Sequence, residues 1–204
     1  DNGGLGERRR LYTVRGFLSR LERFLHTFGF AAYLIAKEAC HKKKNVAEKP
    51  VAWRSLVVLL IITLGLAGIS AFLTRNSMDI YQELTLPPFA PPGWVFPVVW
   101  SILYPTMAVA TWFYLRARPP HPLPAIALYF VQLLVNVIWP ILFFVQKALG
   151  LSFVWLLLLW ALALTVCLYF YRHSKLAGGL FIPYLMWLAF AAVLNFSIAR
   201  MNPA

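Results

Sequence analysis

Polar and apolar residues divide this chain into a charged first quarter and a long apolar remainder. The remainder contains five apolar stretches, each long enough to cross about 30 Å of hydrocarbon as a helix. They cover approximately residues 55–73, 94–115, 123–145, 150–171 and 180–199. Pro124 stands in the first turn of the third stretch, where proline is tolerated, and Pro140 predicts a kink in its second half. The pattern predicts an all-α membrane protein in which residues 55–204 form a five-transmembrane-helix bundle.

Residues 1–54 form a separate, basic N-terminal extension. Between residues 8 and 36, apolar residues recur at steps of three and four, and most arginines lie off that stripe. This pattern predicts a basic amphipathic helix. Three interpretations stay open: the helix lies in the membrane interface, it docks on the bundle or on a partner, or it is a mitochondrial transit peptide.

The connections between the predicted spans are short except for residues 74–93, which predicts that consecutive helices are antiparallel neighbours. Of the 19 lysines and arginines, 12 lie in residues 1–54, and no acidic residue follows Glu83. Because basic residues favour the cytoplasmic side, we expect a cytoplasmic N-terminus and an external loop 74–93. The basic charge indicates a membrane lipid surface as partner, and no nucleic acid.

Charged residues are scarce in the apolar part, and this limits the function classes. The chain is 61% hydrophobic and 13% charged, and no Asp, Glu, Lys, Arg or His lies well inside a predicted span. This argues against a proton-coupled transporter and against paired histidine ligands for haem in the membrane. No sequence signature of a metal site, phosphate loop or catalytic triad is visible, so an enzyme is less well supported than a binding protein.

Three predicted helices each carry a face that mixes aromatic rings with amides or a phenol. The faces consist of Trp100, Tyr104 and Met107 on the second span, Gln132, Asn136, Trp139 and Phe143 on the third, and Tyr184, Trp187, Ala191 and Asn195 on the fifth. One interpretation is a mostly apolar small-molecule pocket with a few polar groups. The other, which the residues alone favour, is that the amides form interhelical hydrogen bonds.

Residues 86–104 join a proline-rich loop to an aromatic helix. Pro87, Pro88, Pro91 and Pro92 lack backbone donors and cannot lie inside a helix or a sheet. The loop is therefore predicted to be a semi-rigid extended cap, and a helix is predicted to begin near Trp94.

These motifs, in this order, resemble the tryptophan-rich sensory protein and translocator protein family over about residues 56–202. The resemblance rests on Gly65 with Gly68, on Leu-Pro-Pro-Phe-Ala-Pro-Pro-Gly-Trp at 86–94, on Val-Trp-Ser-Ile-Leu-Tyr at 99–104, and on the segments 132–144 and 183–195. It implies a five-helix bundle, often a homodimer, with a pocket under loop 74–93. It implies no obligatory cofactor, and as ligands protoporphyrin IX, haem-like tetrapyrroles and flat benzodiazepine-type drugs.

The resemblance also assigns residue roles. The family's pocket residues correspond to Phe89, Trp100, Tyr104, Asn136, Phe143, Trp187 and Ala191. Trp100 and Trp187 match tryptophans linked in bacterial relatives to light-dependent breakdown of protoporphyrin, which makes them the catalytic candidates. The expected function is a membrane receptor or sensor for porphyrins. The alternatives are a porphyrin-degrading enzyme, a passive tetrapyrrole or lipid transporter, and a scaffold for segment 8–36.

Three residues depart from the family pattern. Leu86 and Phe89 replace a lysine and a tryptophan that are frequent in the loop, so a cation for a porphyrin carboxylate is missing. Phe196 replaces the tyrosine of the cholesterol-recognition pattern, so the pattern fails there and the sequence does not predict sterol binding. The loop motif resembles bacterial members, which favours a bacterial inner membrane over the alternative, a mitochondrial outer membrane.

Overall fold

The computed structural model describes residues 53–75 and 77–203, and within them the chain folds into six helices. These are α1 (Trp53–Leu73), α2 (Ser77–Glu83), α3 (Val95–Arg116), α4 (Pro122–Pro140), α5 (Leu149–His173) and α6 (Lys175–Met201). A π-helical turn, Ile141–Val145, continues α4. The amphipathic helix predicted over 8–36, and all of the extension 1–54 except its last two residues, lie outside the described residues.

In the described part of the chain, five helices are long and apolar enough to cross a membrane: α1, α3, α4 with its π turn, α5 and α6. The predicted all-α fold with five spans is confirmed. The last span begins at Lys175, earlier than the predicted residue 180, because Ser174 caps it by accepting a hydrogen bond from the Ala177 amide at 3.2 Å.

Helix α2 lies inside the predicted loop 74–93 and was not expected. Seven residues give too short a window for apolar periodicity to distinguish a helix from a loop. The proline-rich residues that follow are extended or in turns, as predicted; we call residues 84–94 the proline loop.

Pro140 changes the hydrogen bonding of the fourth element; the kink predicted there stays a prediction. Proline has no amide hydrogen to donate to the preceding turn, and the helix widens into the π turn directly after it. The Gln146 amide donates to the Ile141 carbonyl at 3.0 Å, five residues back. As a result Phe143 and Phe144, adjacent in sequence, are both buried.

The order of packing differs in one place from the prediction that consecutive helices are neighbours. Helices α5 and α6 pack along each other, and α4 packs on α5, but α3 packs against α1 and α6 and makes few contacts with α4. The connection from α3 to α4 contains Pro119 and Pro120 after Arg118, which has a positive φ of 51°. This stiff connection separates the start of α4 from the end of α3.

Helices α5 and α6 lie very close together at Gly178. A Cβ atom on Gly178 would lie 2.5 Å from the Cβ and 2.6 Å from the Cα of Tyr171. One residue, Ser174, connects the two helices, so the last turn of α5 is held against the first turns of α6. This contact requires glycine because the Cβ and Cα of Tyr171 cannot move away unless the backbone of α5 moves with them.

We expect Gly178→Ala to lower the stability of the bundle by about 1–3 kcal/mol, because the backbone must shift to admit the methyl group. The unfolding midpoint in detergent measures this. Gly179→Ala is the matched control, since nothing lies within 4 Å of a Cβ at that position and alanine is the better helix former. Equal midpoints for the two variants would contradict the packing argument.

Candidate ligand-binding site

A small cavity lies where α2, α3, the end of α4 and α6 converge. Its volume is about 10 Å³, room for about one water molecule. Aromatic rings, aliphatic side chains and one amide line it: Tyr81, Phe96, Trp139, Phe143, Phe144, Ala191, Leu194, Asn195 and Ile198. Helix α1 contributes no residue to this lining.

Four of the predicted site residues lie in this wall: Trp139, Phe143, Ala191 and Asn195. The spacing of α4 and α6 identified them because residues three or four apart share a face. Phe96 was missed, although it lies four residues before Trp100 and the same argument applies to it.

Two further lining residues were also missed. Tyr81 belongs to α2, which was predicted as loop. Phe144 lies eight residues after Asn136, a spacing at which residues share a helix face, so the helical period could have identified it.

Asn195 forms the polar part of the cavity wall. In the amide orientation that pairs both of its ends, its Nδ2 donates to the Leu149 carbonyl at 3.0 Å. Its Oδ1 then accepts from Ser152 Oγ at 3.0 Å and from Trp139 Nε1 at 3.1 Å. The amide therefore ties α6 to α5 and fixes the indole of Trp139 in the wall of the cavity.

A second polar group of predicted residues is centred on the phenol of Tyr184. Its hydroxyl donates to Gln132 Oε1 at 2.9 Å and accepts from Asn136 Nδ2 at 3.2 Å. All three side chains are buried, and the Nε2 of Gln132 also lies 3.9 Å from the Sδ of Met107. Both amides thus join α4 to α6, and their role toward a ligand stays a prediction.

Trp100 and Tyr104 adjoin this phenol. The Trp100 ring centroid lies 5.2 Å from that of Tyr104 and 6.2 Å from that of Tyr184. Tyr104 is buried and Trp100 is half-buried. These rings extend the aromatic wall of α3 away from the cavity.

The remaining predicted residues form an aromatic band that runs from the proline loop to the cavity. Phe89 contacts Phe190 at 6.5 Å between ring centroids, and Phe190 contacts Trp187 at 5.4 Å. Trp187 in turn contacts Phe96 at 5.9 Å, and Phe96 lines the cavity. Phe89 is 49% exposed, so the outer end of the band is open to the surroundings.

Tyr81 joins the cavity to the proline loop. Its hydroxyl donates to the Pro91 carbonyl at 3.1 Å, and its ring meets that of Phe96 edge-on at 5.3 Å. Burial raises the pKa of the Tyr81 phenol, so it stays protonated and able to donate at neutral pH. The prolines of the loop lack amide donors, and this phenol supplies one.

The sequence profile described as "TspO/MBR family" matches residues 56–201. The chain belongs to the TspO/MBR family. The match covers α1 from its first turn, the proline loop and all the residues that line the cavity. The resemblance seen in the motifs is thereby confirmed, and this is an integral membrane protein.

Relatives in the family come from bacteria and animals. The tryptophan-rich protein TspO of Chlorobaculum tepidum is 34% identical over 158 residues, which are 76% of this chain and 99% of that protein. Protein CrtK of Rhodobacter capsulatus is 36% identical over 125 residues, 60% of this chain and 78% of that protein. The human translocator protein is 35% identical over 136 residues, 65% of this chain and 80% of that protein. TspO/MBR membership supports a membrane sensor or transporter.

We expect Tyr184→Phe to destabilise the bundle by about 1–3 kcal/mol, because it leaves the buried amides of Gln132 and Asn136 without their shared partner. The unfolding midpoint in detergent is the measurement. Tyr171→Phe is the control, since that side chain is 50% exposed and its change should stay within about 0.5 kcal/mol. A Tyr184→Phe variant as stable as the control would show that the three groups do not hold the helices together.

Proposed function

We propose that this chain is a membrane receptor or sensor that binds tetrapyrroles of the protoporphyrin IX kind, and similar flat aromatic ligands, beneath the proline loop. The observation that carries the proposal is the convergence of Tyr81, Phe96, Trp139 and Phe143 around the single amide of Asn195. Flat macrocycles bind by stacking and edge contacts with such rings, and one amide suffices to orient them.

Binding requires this site to open. The cavity of about 10 Å³ is far smaller than the roughly 300–1,000 Å³ of a small-molecule pocket. Tyr81 of α2 lines it and donates to the Pro91 carbonyl of the proline loop, and the exposed Phe89 marks where the aromatic band reaches the surface. We propose that the loop and α2 cover the site. We propose that a ligand enters beneath the loop and separates rings that pack on one another in the closed form.

The loop supplies no cation at Leu86, which affects the ligand class. Protoporphyrin IX carries two carboxylates, and an aromatic site without a nearby cation binds such a ligand less tightly than a site that has one. The proposal therefore favours neutral flat ligands over acidic porphyrins at equal ring area.

We further propose a cytoplasmic N-terminus and a bacterial inner membrane. One end of the bundle carries Arg54, Arg116, Arg118, Arg172 and Lys175. The other end carries Arg75, Lys147 and Arg200 together with Asp79 and Glu83. Basic residues favour the cytoplasmic side, which supports this orientation. The homodimer implied by the family resemblance is also a proposal.

The first experiment is a titration of the full chain in detergent with protoporphyrin IX in the dark. The absorbance of the pigment reports binding. We expect saturable binding that Phe96→Ala weakens roughly tenfold, the effect of losing an aromatic contact with the macrocycle. Trp112→Ala is the control, because that tryptophan lies at the opposite end of α3 from Phe96. Absence of saturable binding in the unaltered chain would refute the porphyrin proposal.

Leu86→Lys tests the missing cation. We expect it to tighten protoporphyrin IX binding roughly fivefold and to leave a neutral flat ligand unaffected, because only the acidic porphyrin gains a charge partner. The same titration measures both ligands, and Leu86→Met serves as the uncharged control. Equal tightening of both ligands would mean that the lysine acts by something other than its charge.

The same samples separate the two alternatives. If light bleaches the bound pigment, and Trp100→Phe still binds but no longer bleaches it, the porphyrin-degrading enzyme is favoured. Transfer of pigment across liposome membranes that contain the protein would favour the passive transporter.

A further inference from the structure

One amide side chain fastens the proline loop to the end of α6. The Thr85 backbone amide donates to Asn202 Oδ1 at 3.0 Å. Asn202 Nδ2 donates in return to the Thr85 carbonyl at 3.0 Å. Both backbone polar groups of one loop residue are therefore paired with one side chain, 117 positions further along the chain.

Asn202 is itself held rigidly. Its backbone amide donates to the Ile198 carbonyl at 3.0 Å, and its Nδ2 donates to the same carbonyl at 2.9 Å. Ile198 lines the cavity, as do Ala191, Leu194 and Asn195 of the same helix. The fastening point and one wall of the cavity are thus parts of one helix end.

The other described polar contacts between the loop region and the rest of the bundle are weaker or move with the loop. Tyr81 binds Pro91, but Tyr81 belongs to α2, which continues directly into the loop. Glu83 pairs with Lys147 at 3.4 Å, with 67% and 56% of the two side chains exposed, and exposed pairs of this kind contribute little.

We propose that Asn202 is a positioning residue that latches the proline loop over the cavity and controls how fast ligands pass beneath it. The proposal rests on the proposed function for the ligand, but the latch itself is testable without one. Asn202 lies at the edge of the site and does not line the cavity. We therefore expect the latch to be equally stable whether the site is empty or occupied. The latch must open before a ligand can enter and before it can leave.

Hydrogen exchange on the full chain in phosphatidylcholine nanodiscs, without ligand, tests the latch alone. The informative amides are those of Leu84, Thr85, Leu86, Phe89 and Ala90, since the prolines have none. We expect Asn202→Ala to accelerate their exchange roughly 3- to 10-fold, the effect of losing one or two neutral hydrogen bonds. Peptides from α5 and the middle of α6 serve as the folding control and should not change. Unchanged exchange in the loop would overturn the proposal.

Glu83→Gln is the matched variant, because it removes the exposed ion pair of the same segment and leaves Asn202 in place. We expect it to change the exchange of the loop amides less than twofold. Acceleration equal to that of Asn202→Ala would mean that any lost tie loosens the loop, and would overturn a specific latch.

Stopped-flow binding of protoporphyrin IX then tests the control of access. We expect Asn202→Ala to raise the association and dissociation rates by the same factor, roughly 3- to 10-fold, and to change Kd less than twofold. A residue needed only for folding would lower the fraction of binding-competent protein and leave both rates unchanged. That result, or a change in only one of the two rates and hence in Kd, would overturn the access role. Faster loop exchange in a chain that binds no porphyrin would refute the proposed function and leave the latch established.

Discussion

In hydrocarbon every polar group needs a partner within the protein, and the bundle depends on this constraint. The helices satisfy their own backbones, and several buried polar side chains pair with one another across helix boundaries. Tyr184 links α6 to Gln132 and Asn136 of α4, and Thr63 of α1 lies 2.7 Å from the Tyr129 hydroxyl. These pairs determine which helix faces turn inward where apolar side chains alone do not distinguish lipid from protein.

The same constraint shapes the candidate site. Because the amides of α4 are engaged with Tyr184, the cavity beyond them is lined by aromatic rings and by Asn195 alone among the amides. The π turn after Pro140 adds Phe143 and Phe144 to that wall. The site is therefore apolar, aromatic and almost filled by its own side chains. A flat ligand would enter by moving these rings apart, because the cavity has almost no water to displace.

The proline loop has few backbone amide donors, so it depends on hydrogen bonds from residues outside the loop to stay in place. The Tyr81 phenol satisfies Pro91, and the Asn202 amide satisfies both polar groups of Thr85. A cover held by a few hydrogen bonds at defined points can be closed for most of the time and still open as a unit.

Sequence alone determined the five spans, because a helix that crosses a bilayer needs an apolar length that few other structures have. It also determined the family, from ordered motifs, and four of the cavity residues, from the helical period.

Tertiary structure decided the rest. Helix α2 is too short to show a period, and the π turn after Pro140 appears only in the folded chain. Short connections bring helix ends together but do not choose partner faces, so the small contact between α3 and α4 was not predictable. The pairing of Asn202 with Thr85 joins residues far apart in the chain, and only the folded bundle brings them within hydrogen-bond distance.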